Sequence, residues 1–576
     1  MIDYAATRNL PEAFFVTAAE RPTAPFLSVK RKEGWHTTDW GSVAQQVSEL
    51  SRGLRALGVE PGDRVAIIAE NRPEWAIADL AIMAAGAISV PAYTTNTVDD
   101  HLHVLSDSGA KLAIVSTARL AKNLIPAAKR AMNTDIVVAI EPVASDEQGI
   151  HIVGWEDTLQ RGRDMPDDVA ERIATIDRTT TSCIIYTSGT GGRPKGVMLS
   201  HGAILCNCKG AYDLVSAIPG FEVGAERFLS FLPLSHSYEH TAGLMFPITI
   251  GAQIYYAEGV DRLVNNMAEI SPTIMTAVPR LYEAIHARIM RGVEQAGGLK
   301  QTMFTKAVDL GRRKLEGDGT LPFLDQLQDG LMERLVRTKV RDRFGGKLKA
   351  FVSGGAPLNS EIGTFFLALG VRILQGYGQT ESAPVVSCNP AHHIRIDTVG
   401  PVLTGVEVKI AEDGEILVRG ELVMQGYWRN DEATAEVLRD GWLHTGDVGV
   451  IDPDGYIRIT DRKKDIIVNS GGDNLSPQRV EGMLTIEPEI AQAMVYGDKR
   501  PHLVALLVAE EGQEDGLGAA VARVNDKLSN IERIRRFTVA DEPFTTDNEM
   551  MTPSMKIRRH VIVAKYGDKL TALYGK

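Results

Sequence analysis

The stretch Tyr186–Val197 reads YTSGTGGRPKGV and holds four glycines, one lysine and four hydroxyl side chains. Glycines let backbone N–H groups turn toward an anion, and hydroxyls and a lysine add donors and positive charge. The spacing is not that of a G-x-x-x-x-G-K-[ST] loop, because Pro194 stands where the second glycine is required. The stretch therefore favours a phosphate-binding loop, with an ordinary glycine-rich turn between two strands as the alternative.

The composition of the chain narrows the class of protein. Its 576 residues, 44% of them hydrophobic, predict large buried cores and more than one domain. The formal net charge is -12 and no long basic block occurs, so nucleic acid is not expected as a partner. Four cysteines without a C-x-x-C pair argue against a disulfide framework or a cysteine zinc site, and are typical of a reducing cytoplasm.

Membrane insertion and secretion are not expected either. The first residues carry acidic side chains and no sustained apolar region, so we expect no secretory signal. The most apolar helical pattern, near 80–90, is too short to span a bilayer and ends at Pro91. We expect a cytoplasmic protein; peripheral contact with the inner face of the membrane and a homodimer are both compatible with the sequence.

Short apolar strands alternate with amphipathic helices over most of the chain. RVAIIAE (64–70) has the pattern of a buried strand, and PEWAIADLAIMAAG (73–86) that of a helix. Later, LKAFVSGGAPL (348–358) and VRILQGYGQTE (371–381) each predict a strand followed by a loop. This rhythm predicts an α/β fold with largely parallel sheets, whose ligands bind at the carboxyl ends of the strands.

Two stretches depart from this rhythm. Residues 286–345 are rich in charge, and LMERLVRTKVRDRF places Leu331, Leu335, Val336 and Val340 on one helical face, which predicts a helical insertion. Residues 406–460 are β-rich. A domain boundary is predicted near 461–465, giving an N-terminal domain of residues 1–461 and a C-terminal domain of residues 462–576 with its own α+β pattern.

Five stretches occur in a characteristic order: YTSGTGGRPKGV (186–197), LPLSHSYEH (232–240), GYGQTES (376–382), WLHTGD (442–447) with DRKKDIIVNSGGDNLSP (461–477), and MTPSMKIRR (551–559). In this order they resemble the acyl-adenylate-forming enzymes, and most of all the bacterial long-chain fatty acyl-CoA synthetases. The resemblance extends over nearly the whole chain.

The resemblance implies a fold and a reaction. The fold is a large N-terminal AMP-binding domain of two stacked α/β subdomains plus a β-rich subdomain, followed by a small mobile α+β domain. The reaction is the activation of a long-chain fatty acid by ATP to acyl-AMP and pyrophosphate, followed by transfer of the acyl group to coenzyme A. Mg²⁺ is the implied cofactor, and ATP and coenzyme A are co-substrates.

The resemblance also assigns the groups that hold ATP. The phosphates are expected at Thr187, Ser188, Gly189, Thr190, Gly192 and Lys195; the family usually has Thr where this chain has Gly191, so one hydroxyl donor is missing. Glu381 and Thr190 are expected at Mg²⁺, although a loop glutamate taken alone is more often a solvated charge. Adenine is expected at Gly354, Gly355, Ala356, Tyr377 and Gly378, with a tight turn and a core tyrosine as the alternative. The ribose is expected at Asp447 and Arg462.

Lys556 matches the catalytic lysine of the family, whose ammonium would bridge the carboxylate and the α-phosphate. Lys464 matches the hinge of the C-terminal domain. Rotation at that hinge would withdraw Lys556 and bring Gly471 and Gly472 beside the coenzyme A tunnel. His236 matches an aromatic position between the acyl pocket and that tunnel, and a purely structural histidine is an equal alternative there.

Two alternative functions stay open at this point. The first is a ligase that passes acyl-AMP to a carrier protein instead of coenzyme A; the pair Gly471-Gly472 favours coenzyme A mildly. The second is a non-catalytic sensor of acyl groups or nucleotides, against which the joint presence of Glu381, Asp447, Arg462 and Lys556 argues. The sequence sets neither the preferred chain length nor the end of the acyl tunnel.

Overall fold

A computed structural model describes residues 2–143, 149–187, 193–317, 319–463, 465–471, 473–552 and 557–575. These residues form layered α and β structure, with two eight-stranded sheets, a five-stranded sheet, and a three-stranded sheet near the C-terminal end. The α/β class is confirmed. The division at residue 461/462 stays a prediction.

The first eight-stranded sheet carries the glycine-rich stretch at one end. Six of its eight strands are parallel to one another, and two further strands, joined by antiparallel pairing, complete it next to the stretch. In spatial order the strands are Gly426–Tyr427, Lys195–Ser200, Thr181–Thr187, Ile88–Pro91, Arg64–Ile68, Leu112–Val115, Ile136–Ala139 and His151–Gly154. The stretch 188–194 therefore joins two antiparallel neighbours, Thr181–Thr187 and Lys195–Ser200.

The second eight-stranded sheet supplies the opposite side of the candidate site. Its central strands are parallel, and its two edge strands are antiparallel to their neighbours. In spatial order they are Val385–Cys388, Ile373–Gly378, Ala350–Ser353, Ile274–Ala277, Arg227–Ser230, Gln253–Tyr256, Pro25–Arg31 and Gly34–Asp39. The strands predicted in 348–358 and 371–381 are thus present, as Ala350–Ser353 and Ile373–Gly378.

The β-rich part forms a separate antiparallel sheet. Its strands are Glu407–Ile410, Glu415–Arg419, Trp442–Ile451, Leu438–Arg439 and Ile457–Arg462. Asp447 pairs with Arg462 across two of these strands, so two residues expected at the ribose are direct neighbours.

The C-terminal residues pack into their own hydrophobic clusters. The strands Ile490–Tyr496, Leu503–Ala509 and Ile534–Val539 form one sheet, and Ile467–Val468 pairs with Asn474–Leu475. The buried side chains of the two clusters here all lie between Ile467 and Leu570. The segment therefore has a core of its own, as the predicted C-terminal domain requires.

The helices cover the sheets on both faces, and local signals fix many of their ends. Thr97 and Asp100 form a capping box at the start of one helix, and Gly109, with φ of +64°, ends it. The α-helices are Leu10–Glu20, Trp40–Ala56, Pro73–Ala84, Val98–Ser108, Ala118–Arg130, Trp155–Arg163, Val169–Ile173, His201–Val215, Phe246–Thr249, Leu263–Ile270, Pro279–Ala296, Gly298–Glu316, Phe323–Met332, Thr338–Arg343, Ser360–Ala368, Asp431–Val437, Pro477–Leu484, Leu517–Lys527 and Arg559–Ala572. Glu239–Met245 and Glu333–Arg337 are π-helical, and Val260–Arg262, Thr380–Ser382 and Glu514–Gly516 are 3₁₀ turns.

The connection between the strands Ile274–Ala277 and Ala350–Ser353 is helical in its described residues. The expectation that Leu331, Leu335, Val336 and Val340 share one face is wrong. Leu331 and Leu335 are exposed, whereas Val336 is buried. The spacing is the physical reason, because residues five apart, such as Leu331 and Val336, are about 140° apart around an α-helix.

Within the described residues, none of the helices is long and apolar enough to cross a membrane.

Candidate functional site

Several of the predicted site residues that the structure describes lie at or just after the ends of strands in the large sheets. Thr187 and Lys195 are the facing ends of two paired strands of the first sheet. Gly354 follows the strand Ala350–Ser353 of the second sheet, and Tyr377 lies near the end of the neighbouring strand. Carboxyl ends of parallel strands are the usual ligand edge of such sheets.

Lys195 and Glu381 are connected through a tyrosine that the sequence analysis did not single out. The Lys195 ammonium lies over the ring of Tyr427, 4.8 Å from its centroid. The Tyr427 hydroxyl donates a hydrogen bond of 2.8 Å to Oε1 of Glu381. Burial and the Glu381 carboxylate both raise the pKa of Tyr427, so the phenol stays protonated and remains a donor.

The position of Tyr427 depends on strand pairing over a long sequence separation. The short strand Gly426–Tyr427 pairs with Lys195–Ser200, setting Tyr427 opposite Val197. The motif QGYWRN (425–430) could have indicated a strand, because two aromatic residues follow a glycine there. Nothing in its local pattern, however, names Lys195 or Glu381 as a neighbour.

Tyr377, Asp447 and Arg462 form a second polar group. The Tyr377 hydroxyl donates to Oδ2 of Asp447 at 2.7 Å, and Nε of Arg462 donates to Oδ1 at 2.9 Å. Burial, and then the charge of Asp447, raise the pKa of Tyr377 well above its usual range. Burial lowers the pKa of Arg462, but the Asp447 carboxylate outweighs that effect and the net pKa is raised. The residues expected at adenine and ribose therefore meet around one buried carboxylate.

Three glycines near this group have different structural reasons to be glycine. A Cβ at Gly354 would lie 3.1 Å from the ring of Tyr238, and Gly355 has φ of +82°. A Cβ at Gly378 would lie 1.8 Å from the carbonyl oxygen of Pro384. Gly378 is thus required by the close approach of two backbones, and its contact with adenine stays a prediction. Ala356 is exposed in the same turn as Gly354 and Gly355.

His236 is half-buried and directly precedes a helical turn, and its side chain accepts a hydrogen bond from the backbone of that turn. Its Nδ1 accepts a hydrogen bond of 3.1 Å from the backbone N–H of Tyr238. In the neutral imidazole the proton is then on Nε2. Ser237 lies within hydrogen-bonding distance, 3.0 Å, of Thr380, so the His236 segment contacts the loop that carries Glu381.

Glu381 suits a magnesium ion bound mainly by phosphate. Its carboxylate is oriented by Tyr427, and its backbone carbonyl accepts a hydrogen bond from the N–H of Met424. The described residues contain no cluster of three or more His, Cys, Asp or Glu side chains able to hold a metal. A single oriented carboxylate fits Mg²⁺, which retains waters and phosphate oxygens as ligands.

Seven predicted site residues lie outside the described part of the chain: Ser188, Gly189, Thr190, Gly192, Lys464, Gly472 and Lys556. Their flanks are described. Met551 pairs with Ile557 in an antiparallel bridge, so the two ends of the segment that contains Lys556 lie side by side. Nearby, Arg559 donates to Oε2 of the buried Glu481 at 2.5 Å.

The segment around the predicted hinge is fixed on its N-terminal side. Lys463 donates to Oδ2 of Asp413 at 2.6 Å and to Oε2 of Glu415 at 2.8 Å, which ties residue 463 to the third sheet. Gly471 lies in the following hairpin, where its N–H donates to Oδ1 of Asn469 at 2.9 Å. Among the described residues, Gly471 contacts its own hairpin, not Lys195, Glu381 or Asp447.

A narrow apolar cavity lies between the helix His201–Val215 and the second sheet. Its walls include Leu214, Phe228, Phe246 and Val352, and its volume is about 40 Å³. The carbonyl oxygen of Val352 also accepts a hydrogen bond from Tyr238, two residues after His236. The cavity is therefore next to the candidate site and has room for water molecules, not for a long apolar chain.

Comparison with known proteins shows which family the chain belongs to. The model of the AMP-binding enzyme family matches residues 14–428, and the model of the AMP-binding enzyme C-terminal domain matches residues 464–576. The chain belongs to the AMP-binding enzyme family. The ordered motifs of the sequence thus identified the family correctly.

Similar proteins of known name agree with this family. Long-chain-fatty-acid–CoA ligase FadD15 of Mycobacterium bovis is 34% identical over 94% of this chain and 93% of its own. The peroxisomal long chain acyl-CoA synthetase 6 of Arabidopsis thaliana is 30% identical over 94% of this chain and 81% of its own. Among solved structures, the anthranilate CoA ligase AuaEII in complex with anthranoyl-AMP has a TM-score of 0.75 at 20% identity, covering 99% of this chain and 100% of that one, which confirms the fold.

Proposed function

We propose that this protein is an AMP-forming long-chain-fatty-acid–CoA ligase. Similarity to named long-chain ligases over almost the whole chain is the observation that carries this proposal. The candidate site supports it, because cationic, carboxylate and phenolic groups gather at strand ends beside an apolar cavity.

The first step joins a fatty carboxylate to the α-phosphorus of ATP and breaks the bond to pyrophosphate, giving acyl-AMP. Lys195 supplies positive charge for the phosphates, and the Tyr427 ring holds that ammonium beside Glu381. Glu381, with Thr190, would hold Mg²⁺. The metal, when bound, neutralises phosphate charge as the bond to pyrophosphate breaks.

Asp447 holds the nucleoside. Its carboxylate accepts hydrogen bonds from Tyr377 and Arg462 and has lone pairs left for ribose hydroxyls. Because both donors fix its orientation, the ribose meets an acceptor that needs no rearrangement. The Tyr377 ring offers a flat face for adenine next to the turn Gly354-Gly355.

The second step forms a thioester. The thiol sulfur of coenzyme A attacks the acyl carbon, its proton leaves, and the bond to AMP breaks. Lys556 belongs to the first step and Gly471 and Gly472 to the second, so the two half-reactions need different placements of the C-terminal domain.

We expect the acyl chain to enter at the apolar cavity of Leu214, Phe228 and Val352, which has to widen to hold it. Each buried methylene is worth about 0.8 kcal/mol, so a long chain can meet the free-energy cost of moving side chains aside. A short acid buries few methylenes and gains little of this free energy, whereas the gain grows with chain length. Long acids are therefore favoured over short ones.

Pyrophosphate release with ATP, Mg²⁺ and acids from acetate to oleate tests the substrate class. We expect release with long acids that rises with chain length, and an acyl-CoA product by mass spectrometry. If none of the acids supported release, a non-catalytic sensor would be favoured. Product on a carrier protein but not on coenzyme A would favour the alternative ligase.

The variant Lys556→Ala tests whether the two half-reactions depend on different residues of the C-terminal domain. We expect loss of acyl-AMP formation, while thioester formation from supplied acyl-AMP is retained. Equal loss of both half-reactions would contradict the alternating account.

A further inference from the structure

The helix Phe323–Met332, with the π turn Glu333–Arg337, turns apolar side chains to the outside. Phe323, Leu324, Leu327, Leu331 and Leu335 are between 38% and 72% exposed. Their spacing of one, three, four and four residues sets them along one face of the helix. We call these five residues the apolar row. Exposed apolar groups are ordinary singly, but a contiguous row of this kind marks an interaction surface.

The inner face of the same helix is charged, and this fixes the outward direction of the row. Asp329 pairs with Nη1 of Arg337 at 2.6 Å and with Nζ of Lys314 at 3.3 Å. Asp325 pairs with Arg313. If the helix rolled over to bury its leucines, these carboxylates would lose their partners.

Arg337 anchors this arrangement inside the protein. Its Nε and Nη2 donate to the carbonyl oxygens of Ala368 and Ala307, each at 2.8 Å, and its side chain is almost fully buried. An unpaired buried charge is costly, so the ion pairs specify the orientation. The sequence thus directs charge inward and leucine outward at this helix.

The segment that carries the row differs in the sign of its net charge from the chain as a whole. Residues 279–345 contain thirteen Lys and Arg against nine Asp and Glu, a net charge of +4, whereas the whole chain has -12. Arg334 and Lys339 are exposed on or directly after the helix of the row. A cationic surface on an acidic protein attracts an anionic partner.

We infer that the apolar row and its cationic flanks, Arg334 and Lys339, dock on an anionic lipid bilayer. The helix would lie in the plane of the interface, with its apolar side chains below the headgroups and its cations among them. A second copy of this chain is a poorer partner, because two segments of charge +4 would face each other. The inference rests on the proposed function only in that a fatty acid partitions into such a bilayer.

Co-sedimentation of the full chain with vesicles tests the surface. Wild type should bind vesicles of phosphatidylcholine with about 30% phosphatidylglycerol more tightly than phosphatidylcholine alone, and salt should weaken the difference. The combined change Leu324→Ser, Leu327→Ser and Leu331→Ser should lower the partition coefficient at least tenfold. Met132→Ser, at a methionine 93% exposed elsewhere, is the matched control and should bind as wild type does.

The charged flanks have a separate test. Arg334→Glu with Lys339→Glu should reduce binding to the anionic vesicles and leave binding to phosphatidylcholine unchanged. Because all five altered residues are exposed, thermal unfolding should match wild type.

Unchanged vesicle binding by the triple variant would overturn the inference. So would a triple variant that alters only the mass measured by sedimentation equilibrium, since that outcome assigns the row to a second copy. Acyl-CoA formation from palmitate in detergent separates this inference from the proposed function. We expect the triple variant to keep that activity while losing vesicle binding; binding without any ligase product in wild type would overturn the function and leave the docking surface standing.

Discussion

Tyr427 is the residue that joins two charged groups of the candidate site. Removing its hydroxyl in Tyr427→Phe leaves the ring under Lys195 but removes the hydrogen bond that orients Glu381. We expect kcat/KM for magnesium-ATP to fall about 10- to 100-fold, because one oriented group that acts on the reacting phosphates is lost. Pyrophosphate release at varied magnesium-ATP measures this.

The control for that change is Tyr456→Phe, which removes a hydroxyl bonded to the carbonyl of His393 outside the candidate site. It should leave kcat/KM unchanged. Thermal unfolding of the two variants should differ little, since each loses one hydrogen bond, worth about 1 kcal/mol. Equal kinetics for wild type and Tyr427→Phe would remove Tyr427 from the site.

Glu239 is a fully buried carboxyl beside the apolar cavity, and it gives folding a dependence on pH. Burial raises its pKa to about 7, although Thr276 donates a hydrogen bond of 2.6 Å to Oε2. In the unfolded chain the pKa of a glutamate is near its ordinary 4.5, so folding takes up a proton between these values. The contribution to stability is full below pH 4.5 and is lost as the pH rises through about 7.

Glu239→Gln should remove this dependence. Between about pH 5 and pH 8 we expect wild type to lose free energy of unfolding on the order of 3 kcal/mol more than the variant does. Urea unfolding at the two pH values measures it, with the exposed Glu294→Gln as control. A wild type and a Glu239→Gln protein with parallel pH profiles would mean that Glu239 does not titrate in this range.

The sequence indicated some of the residues that the structure brings together at the candidate site and missed others, for a physical reason. Asp447 and Arg462 stand in ordered motifs, and the antiparallel register of one sheet then sets them side by side. Tyr427 acts through residues far away in the chain, so no local pattern connects it to Lys195. The sequence did not indicate that Glu239 is buried either, because only packing distinguishes a buried carboxyl from a solvated one.

At the scale of elements, Gly378 shows how closely two strands approach. Gly378→Ala would set a Cβ 1.8 Å from the carbonyl oxygen of Pro384. Because this oxygen belongs to the backbone, it cannot move aside by a side-chain rotation. We expect a loss of about 3 kcal/mol in the free energy of unfolding. Chemical denaturation checks it.

Gly292→Ala is the matched control, because a Cβ added at this position in the helix Pro279–Ala296 would have no atom within 4 Å among the described residues outside its own helix. It should stabilise the protein by about 0.5–1 kcal/mol, since alanine loses less backbone entropy in a helix. If both glycines tolerate alanine alike, the close approach at Gly378 is not a constraint.

The elements also show where periodicity fails. The strands and helices with strong patterns, such as Arg64–Ile68 and Pro73–Ala84, lie within two residues of their expected bounds. In the insertion, Leu331 and Val336 were expected on one face, but residues five apart lie about 140° apart around an α-helix, and only Val336 is buried. A count of about 3.6 residues per turn contains no information about ion pairs that hold Asp329 inward.

At the scale of the whole molecule, the two half-reactions are expected to depend on different faces of the C-terminal segment. Gly471→Leu should abolish thioester formation and retain acyl-AMP formation. We expect the fold to tolerate the change, because the backbone is not left-handed at Gly471 and the nearest atom to an added Cβ, Oδ1 of Asn469, is 3.2 Å away.

Single-turnover assays measure the rate of each half-reaction in this variant, and thermal unfolding measures its stability. An unchanged melting temperature with loss of the thioester step alone is the expected pattern. Intact coenzyme A transfer would leave Gly471 as a structural glycine only.

The pairing of Gly426–Tyr427 with Lys195–Ser200 has a consequence for synthesis on the ribosome. A nascent chain completes the glycine-rich stretch long before it contains the strand that brings in the tyrosine and, through it, the orienting bond to the glutamate. If Lys195 and Glu381 bind nucleotide as proposed, binding in the complete geometry has to wait until residue 427 has left the ribosome. Translation products that end before residue 427 are therefore expected not to bind nucleotide, even where their sheets have largely formed.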